Sequence, residues 1–146
     1  MIKSFIQIFV AVISLVFIVE TIRGNKIDAR IEPEYSNLQV LYKIGCSKAP
    51  PRHSIFVSKL KSSEKGVIGV CLKGWLRNII IIDEDFFNSA DKRYIESTLA
   101  HEMSHCFLDI KHRNNPNSYM HEIISSDITR SRLYFEFLLD VRENCR

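Results

Sequence analysis

Apolar residues recur along this chain in rhythms that divide it into stretches of different kind. From Phe5 to Val19 the chain is apolar except for Gln7 and Ser14, behind a short basic start at Met1-Ile2-Lys3. That is the pattern of a secretory signal, and the run meets Glu20 before it reaches the ~20 apolar residues of a spanning helix. No small-residue cleavage site of the A-x-A kind precedes Arg23, so an uncleaved membrane anchor is the alternative. Residues 1–24 are read as that signal or anchor and residues 25–146 as one domain, placed outside the cytoplasm in either case. Residues 20–31 are mixed and polar and read as a linker.

Helical spacing then begins. Pro33 to Ile44 carries Leu38, Leu41 and Tyr42 on one stripe, with Pro33 suited to a first turn and Gly45 to the position just past the end. The segment from Ser47 to His53 contains Ala49-Pro50-Pro51 and is a connector, in which isolated His53 is read as a surface residue. Three strand-like runs follow: Ser54–Ser58, Val67–Leu72 and Leu76–Ile82, the last including Ile79-Ile80-Ile81-Ile82. The short polar turns between them suggest hairpins or a meander. Asp83 to Phe87 reads as a loop. No glycine or proline interrupts the chain from Asn88 to Lys111, where a long helix is expected to start near Asn88–Asp91. A last helix, spaced by Leu133, Tyr134, Phe137, Leu138 and Val141, runs from Arg130 to Val141 and ends near Cys145. The expected fold is α+β: a small, mostly antiparallel sheet packed on an N-terminal helix and the long helix, with a C-terminal helix closing the back.

Composition changes this picture little. The 146 residues suit one domain, and a formal charge of +3 spread along the chain gives no case for nucleic acid. Cysteine usage changes it more. Cys46, Cys71, Cys106 and Cys145 form an even set in an exported chain, and three pairings are open to them.

The chemistry lies in His101-Glu102-Met103-Ser104-His105. Two histidines four apart share one helical face, close enough for both imidazoles to meet one Zn²⁺, and Glu102 one step round can act as general base toward a water there. Ile95, Leu99, Met103, Cys106, Phe107 and Ile110 form the opposite, apolar stripe, so the histidines look away from the core. His112 is the third candidate ligand. On an unbroken helix it would lie about 10 Å beyond His105 along the axis, too far to share an ion. It can join only if the helix ends soon after Leu108 and the chain reverses, and Asp109 is the residue best able to take the left-handed turn. Glu122, Asp109 and His121 are the other candidates for a third ligand. Cys106 as a nucleophile is disfavoured, because a helix points it toward the core.

The helix and the loop behind it resemble those of zincin metallopeptidases, and of their metzincin-like branch in particular. There a helical H-E-x-x-H is followed by a turn, a third histidine and a methionine-containing turn, to which His101, Glu102, His105, His112 and Met120 correspond. The chain is also similar to a group of small secreted metallopeptidases whose motif reads roughly H-E-L-G-H-C-x-L-x-x-x-H. Cys106, Gly69-Val70-Cys71, Ile79 to Ile82 and Ser118-Tyr119-Met120 match that pattern, over roughly Val67 to the C-terminus. Between His105 and His112 the interval is seven residues, where metzincins have six with a glycine at the turn. The resemblance implies a Zn²⁺ cofactor, a peptide or protein substrate, and Met120 as a floor beneath the metal.

With Cys106 facing the sheet, Cys71–Cys106 is the preferred disulfide, which leaves Cys46–Cys145. The functional expectation is an exported zinc metalloendopeptidase, with membrane contact only through an uncleaved N-terminal segment and oligomeric state left open. The alternative is an exported binding module, zinc-stabilised or metal-free, without catalysis.

Overall fold

The computed structural model describes residues 24–61, 66–124 and 127–145. The expected signal or anchor lies outside them. Four strands, β1 (Lys26–Ile27), β2 (His53–Ser58), β3 (Gly69–Leu72) and β4 (Asn78–Asp83), form one sheet in the order β1-β2-β4-β3. Helix α1 is Glu32–Gly45, α2 is Glu84–Ser89, α3 is Lys92–Leu108 and α4 is Arg130–Asn144. The α+β class holds, but the sheet is not mostly antiparallel. β1–β2 and β2–β4 are parallel, and only β3–β4 is antiparallel.

The reason lies in the isoleucines of β4. Ile80 and Ile82 are fully buried, so this strand needs a neighbour on each edge and takes the interior of the sheet. A meander would have put the shorter β3 there instead. Ile55 and Val57 of β2 join Ile80 and Ile82 on the helix-packed face, while Phe56 and Ile81, paired across the strands, lie on the more open one.

Two further expectations change. The linker is not free of structure, since Lys26 and Ile27 pair with Ser54 and Ile55, and Ile31 is fully buried. The stretch after β4 is a short helix rather than a loop. Asp83 caps it by accepting from the Phe86 N–H at 3.0 Å, while its other oxygen accepts from the Leu60 N–H at 2.9 Å.

Helix α3 packs on β3 and β4, and α1 and α4 pack on α3 and on each other. Leu99, Met103, Leu133 and Phe137 fill the junctions, each worth about 1.5–3 kcal/mol of burial. Gly45 proves to be the last residue of α1 rather than a residue beyond it. A Cβ there would stand 2.7 Å from Val141 Cγ1, so close packing of α1 on α4 is what requires glycine. Two disulfides fasten the assembly. Cys46–Cys145 joins the ends of α1 and α4, and Cys71–Cys106 joins β3 to α3. Such bridges belong to an oxidising compartment. Among the described residues no helix is long and apolar enough to cross a membrane.

His53 corrects the surface reading. It is fully buried, its Nδ1–H donating to the Pro51 carbonyl at 2.7 Å and its Nε2 accepting from the Tyr35 hydroxyl at 2.8 Å. Burial holds this imidazole below its ordinary pKa of 6.5, against the opposing pull of the Pro51 carbonyl. Below that value the unfolded chain therefore binds a proton that the folded chain refuses. Stability contributed by His53 is complete above about pH 6.5 and is lost as pH falls toward the lower, folded value. In chelator, the urea midpoint is expected to drop on acidification through this range. His53→Phe should flatten part of that slope while costing roughly 1–2 kcal/mol at neutral pH through the lost hydrogen bonds. An unchanged slope in the variant would refute the assignment.

Candidate metal centre

Helix α3 starts and stops on aspartates. The Asp91 carboxylate accepts from the N–H groups of Arg93 and Tyr94 at 2.8 and 2.9 Å, fixing the first turn. At the other end Asp109 takes φ 59° and ψ 28°, the left-handed conformation, and the amides of Asp109 and Ile110 close on the Ser104 carbonyl. The helix thus ends at Leu108 and the chain doubles back, carrying His112 to the face that holds His101 and His105. Lys73 at the end of β3 pairs with the Asp109 carboxylate across this turn.

The three imidazoles converge through their Nε2 atoms. His105 Nε2 lies 3.0 Å from His101 Nε2, and His101 Nε2 lies 3.2 Å from His112 Nε2. In His101 and His105 the opposite nitrogen is spoken for. His101 Nδ1–H donates to the Tyr119 carbonyl at 2.8 Å and His105 Nδ1–H to the Ile110 carbonyl at 2.6 Å. A carbonyl can only accept, so both rings carry their proton on Nδ1, and in the neutral form both Nε2 lone pairs are bare. Two bare lone pairs facing each other at 3.0 Å repel unless a cation lies between them. Protonation is a poor source of that cation. Burial, outweighing the Tyr119 carbonyl, brings the His101 pKa down to about 4, and burial also lowers that of His105.

A metal ion fits better. Donors held tetrahedrally at 2.0–2.1 Å lie roughly 3.3–3.4 Å apart, close to the spacings found, and three imidazoles are a donor set suited to zinc. Backbone carbonyls on Nδ1 are the outer-shell partners that orient ligating histidines. Among the described residues His101, His105 and His112 are the group placed to hold a metal. The other third-ligand candidates are elsewhere: Asp109 on Lys73, His121 on the Ile123 backbone, and Glu122 exposed at the rim.

Glu102 lines the same cleft with 7% of its surface exposed. Burial raises its carboxyl pKa to about 7, opposed by a hydrogen bond from the Cys71 N–H. Strand β3 can come this near because residue 69 is glycine. A Cβ at Gly69 would stand 2.9 Å from Glu102 Oε1 and 3.2 Å from Thr98 Cγ2. The Cys71–Cys106 disulfide holds strand and helix at this approach.

Beneath the histidines lies a buried polar network that the sequence did not disclose. The Tyr119 hydroxyl donates to Asp140 Oδ2 at 2.6 Å and also contacts Ser104 Oγ at 2.8 Å, and Arg113 pairs with the other Asp140 oxygen. Tyr119 is fully buried, and burial together with the Asp140 charge raises its pKa well above 10. Its carbonyl is the one that orients His101. Ser118 Oγ donates to Glu136 at 2.9 Å, so the whole turn hangs on α4. Met120 is fully buried as well, in the hydrophobic core. The available signal was Asp140 itself, a carboxylate on the stripe formed by Leu133, Phe137 and Val141.

The cleft has two lobes. One of about 850 Å³ runs along Val70, Cys71, Lys73 and Lys111, and one of about 350 Å³ lies among Ile68, Tyr94, Ile123 and Ile124. Gly69, His101, Glu102 and His112 belong to both. Comparison with family models, with curated proteins and with solved structures finds no match for this chain. What stands of the zincin resemblance is the three-histidine cluster on the helix and its following turn.

Proposed function

We propose that this chain is an exported zinc-dependent endopeptidase with His101, His105 and His112 as ligands and Glu102 as general base. The convergence of three imidazoles, with the Nε2 atoms of His105 and His112 at 3.0 and 3.2 Å from that of His101, carries the reading. Zinc, when bound there, supplies a Lewis acid that lowers the pKa of water and polarises a carbonyl. Glu102 accepts the proton of the water that attacks the scissile carbonyl, and gives it to the amine that leaves as the C–N bond breaks. Its low exposure keeps bulk water from competing for that proton. Met120 serves as an apolar floor below the ligands. Strand β3 has its outer edge open to the cleft, so an extended peptide can add to it as a further strand, crossing the histidines from one lobe to the other.

Metal analysis of the purified protein, followed by a peptide-library assay with and without chelator, tests this reading. Bound zinc with chelator-sensitive cleavage supports it. Bound zinc with no cleavage of any peptide would make the protein a zinc-stabilised binding module instead. Gly69→Ala offers a finer check. Its Cβ would displace the Glu102 carboxylate while leaving the histidines in place, and a displacement of ~1 Å costs on the order of 10²-fold in rate. Zinc content should stay as in the parent chain.

A further inference from the structure

The parallel pairing of β1, β2 and β4, with β3 reversed, gathers three segments at one end of the sheet. These are the entry into β1 at Gly24, the Pro51-Arg52 turn before β2, and the Lys73–Arg77 turn between β3 and β4. They touch: Arg77 donates to the Gly24 carbonyl at 2.8 Å, the Asn78 N–H donates to the Arg52 carbonyl at 2.8 Å, and Pro51, Arg52, Trp75 and Leu76 line one hollow of about 330 Å³. This end carries Trp75, 93% exposed, with Leu76 at 52% and Leu72 at 49%. The turn that bears them is firmly built. Gly74 lies so near its base that a Cβ would meet the Arg77 carbonyl at 2.5 Å, and its N–H donates to Asn78 Oδ1 at 3.4 Å.

Charge at this end is mainly positive, the one acid that reaches it being Asp109 from the end of α3, paired with Lys73. Lys26, Arg52, Lys73 and Arg77 occupy the three segments, which contain no aspartate or glutamate. At the opposite end of the strands, acids and bases are mixed and paired: Asp28 and Glu84 with Arg30, and Asp85 with Lys59. An exposed tryptophan with leucines beside it and cations around it is the composition of a surface that rests on lipid headgroups. Residues 1–23 precede Gly24, with the apolar run Phe5–Val19 among them, so the chain leads from a lipid-compatible stretch into the domain at this very end.

We propose that the Trp75 turn and the cations around it dock the domain on an anionic membrane surface, Trp75 and Leu76 entering the interfacial layer while Arg52 and Lys26 face the phosphates. Lys73 also lines the larger lobe of the cleft, so docking places that mouth at the lipid surface.

Trp75 is the chain's one tryptophan, so its fluorescence reports this turn alone. The full chain is reconstituted in phosphatidylcholine–phosphatidylglycerol vesicles and in pure phosphatidylcholine vesicles, with acyl chains brominated near the glycerol. In the anionic vesicles, blue-shifted Trp75 emission, quenching by the bromine and protection from acrylamide are expected. Each cation near an anionic surface strengthens adsorption roughly fivefold, so Arg52→Glu with Lys26→Glu lowers the docking equilibrium by at least about 25-fold, the two new carboxylates adding repulsion to the loss of the two cations. Emission that stays water-like and open to acrylamide overturns the proposal and leaves the patch to a protein partner. A blue shift that follows protein density rather than lipid charge overturns it in favour of a second copy of the chain. Quenching that ignores the charge reversals overturns it too.

Discussion

Glu102→Gln is expected to keep its zinc and to lose peptide cleavage by at least ~10²–10⁴-fold, the usual worth of a positioned general base. The substitution retains size and hydrogen-bonding capacity in a nearly closed position, and removes only the ability to take a proton. It touches neither ring of the pair whose Nε2 atoms lie 3.0 Å apart, nor the carbonyls that orient them. His101→Ala is expected to behave differently. It removes the central donor of the three and leaves the Tyr119 carbonyl without its partner, so zinc and activity should go together. The loss of affinity should exceed the ~10–100-fold typical of removing an outer-shell partner. Zinc content by elemental analysis beside cleavage rates separates the two variants. A Glu102→Gln protein that cleaves peptides at most of the parental rate would remove this residue from the chemistry.

Breaking Cys46–Cys145 by a double change to alanine should cost about 4–5 kcal/mol, because the bridge closes a loop of 99 residues in the unfolded chain. Folded domains have only ~5–15 kcal/mol in hand, so a fall in Tm of roughly 10–20 °C is expected, read by thermal melts without reductant. Cys71–Cys106 spans 35 residues and should cost somewhat less, about 4 kcal/mol on the same reasoning. Its loss should bear harder on catalysis, since this bridge holds β3 where the Cys71 N–H reaches Glu102. If the outer pair proved the cheaper to remove, loop closure would not be what these bridges contribute.

How far each feature could be read along the chain depends on how local its causes are. Pro33, the apolar stripes and the aspartates around α3 act within a turn or two, so the long helices stand close to where spacing puts them. The reversal at Asp109 has a local cause of another kind. A helix bearing two candidate ligands, with a third seven residues on, admits few geometries in which all three meet, and the residue at the break takes the left-handed one. Strand order escapes this kind of reading, because pairing depends on which strand most needs both edges covered, a comparison between segments distant in sequence. His53 escapes it too, since Tyr35 and Pro51 satisfy it from other elements and so permit its burial. Asp140 lies 21 residues from the hydroxyl it accepts, and nothing around it in sequence announces Tyr119.

All three histidines fall between residues 101 and 112. Ligation therefore closes loops of only four and seven residues, whose entropic cost is small even in an unfolded chain. Under the proposed zinc ligation, a nascent or denatured chain is expected to hold the ion before any strand has paired, the metal then acting as a nucleus for the C-terminal turns of the helix. Mass action then works on both sides of the folding equilibrium. With zinc at the proposed site, the expected rise in melting temperature is smaller than the ion's affinity for the native protein implies. The shortfall measures how much of that affinity belongs to the segment itself, and the remainder is what the carbonyls of Tyr119 and Ile110 add by holding the rings in place.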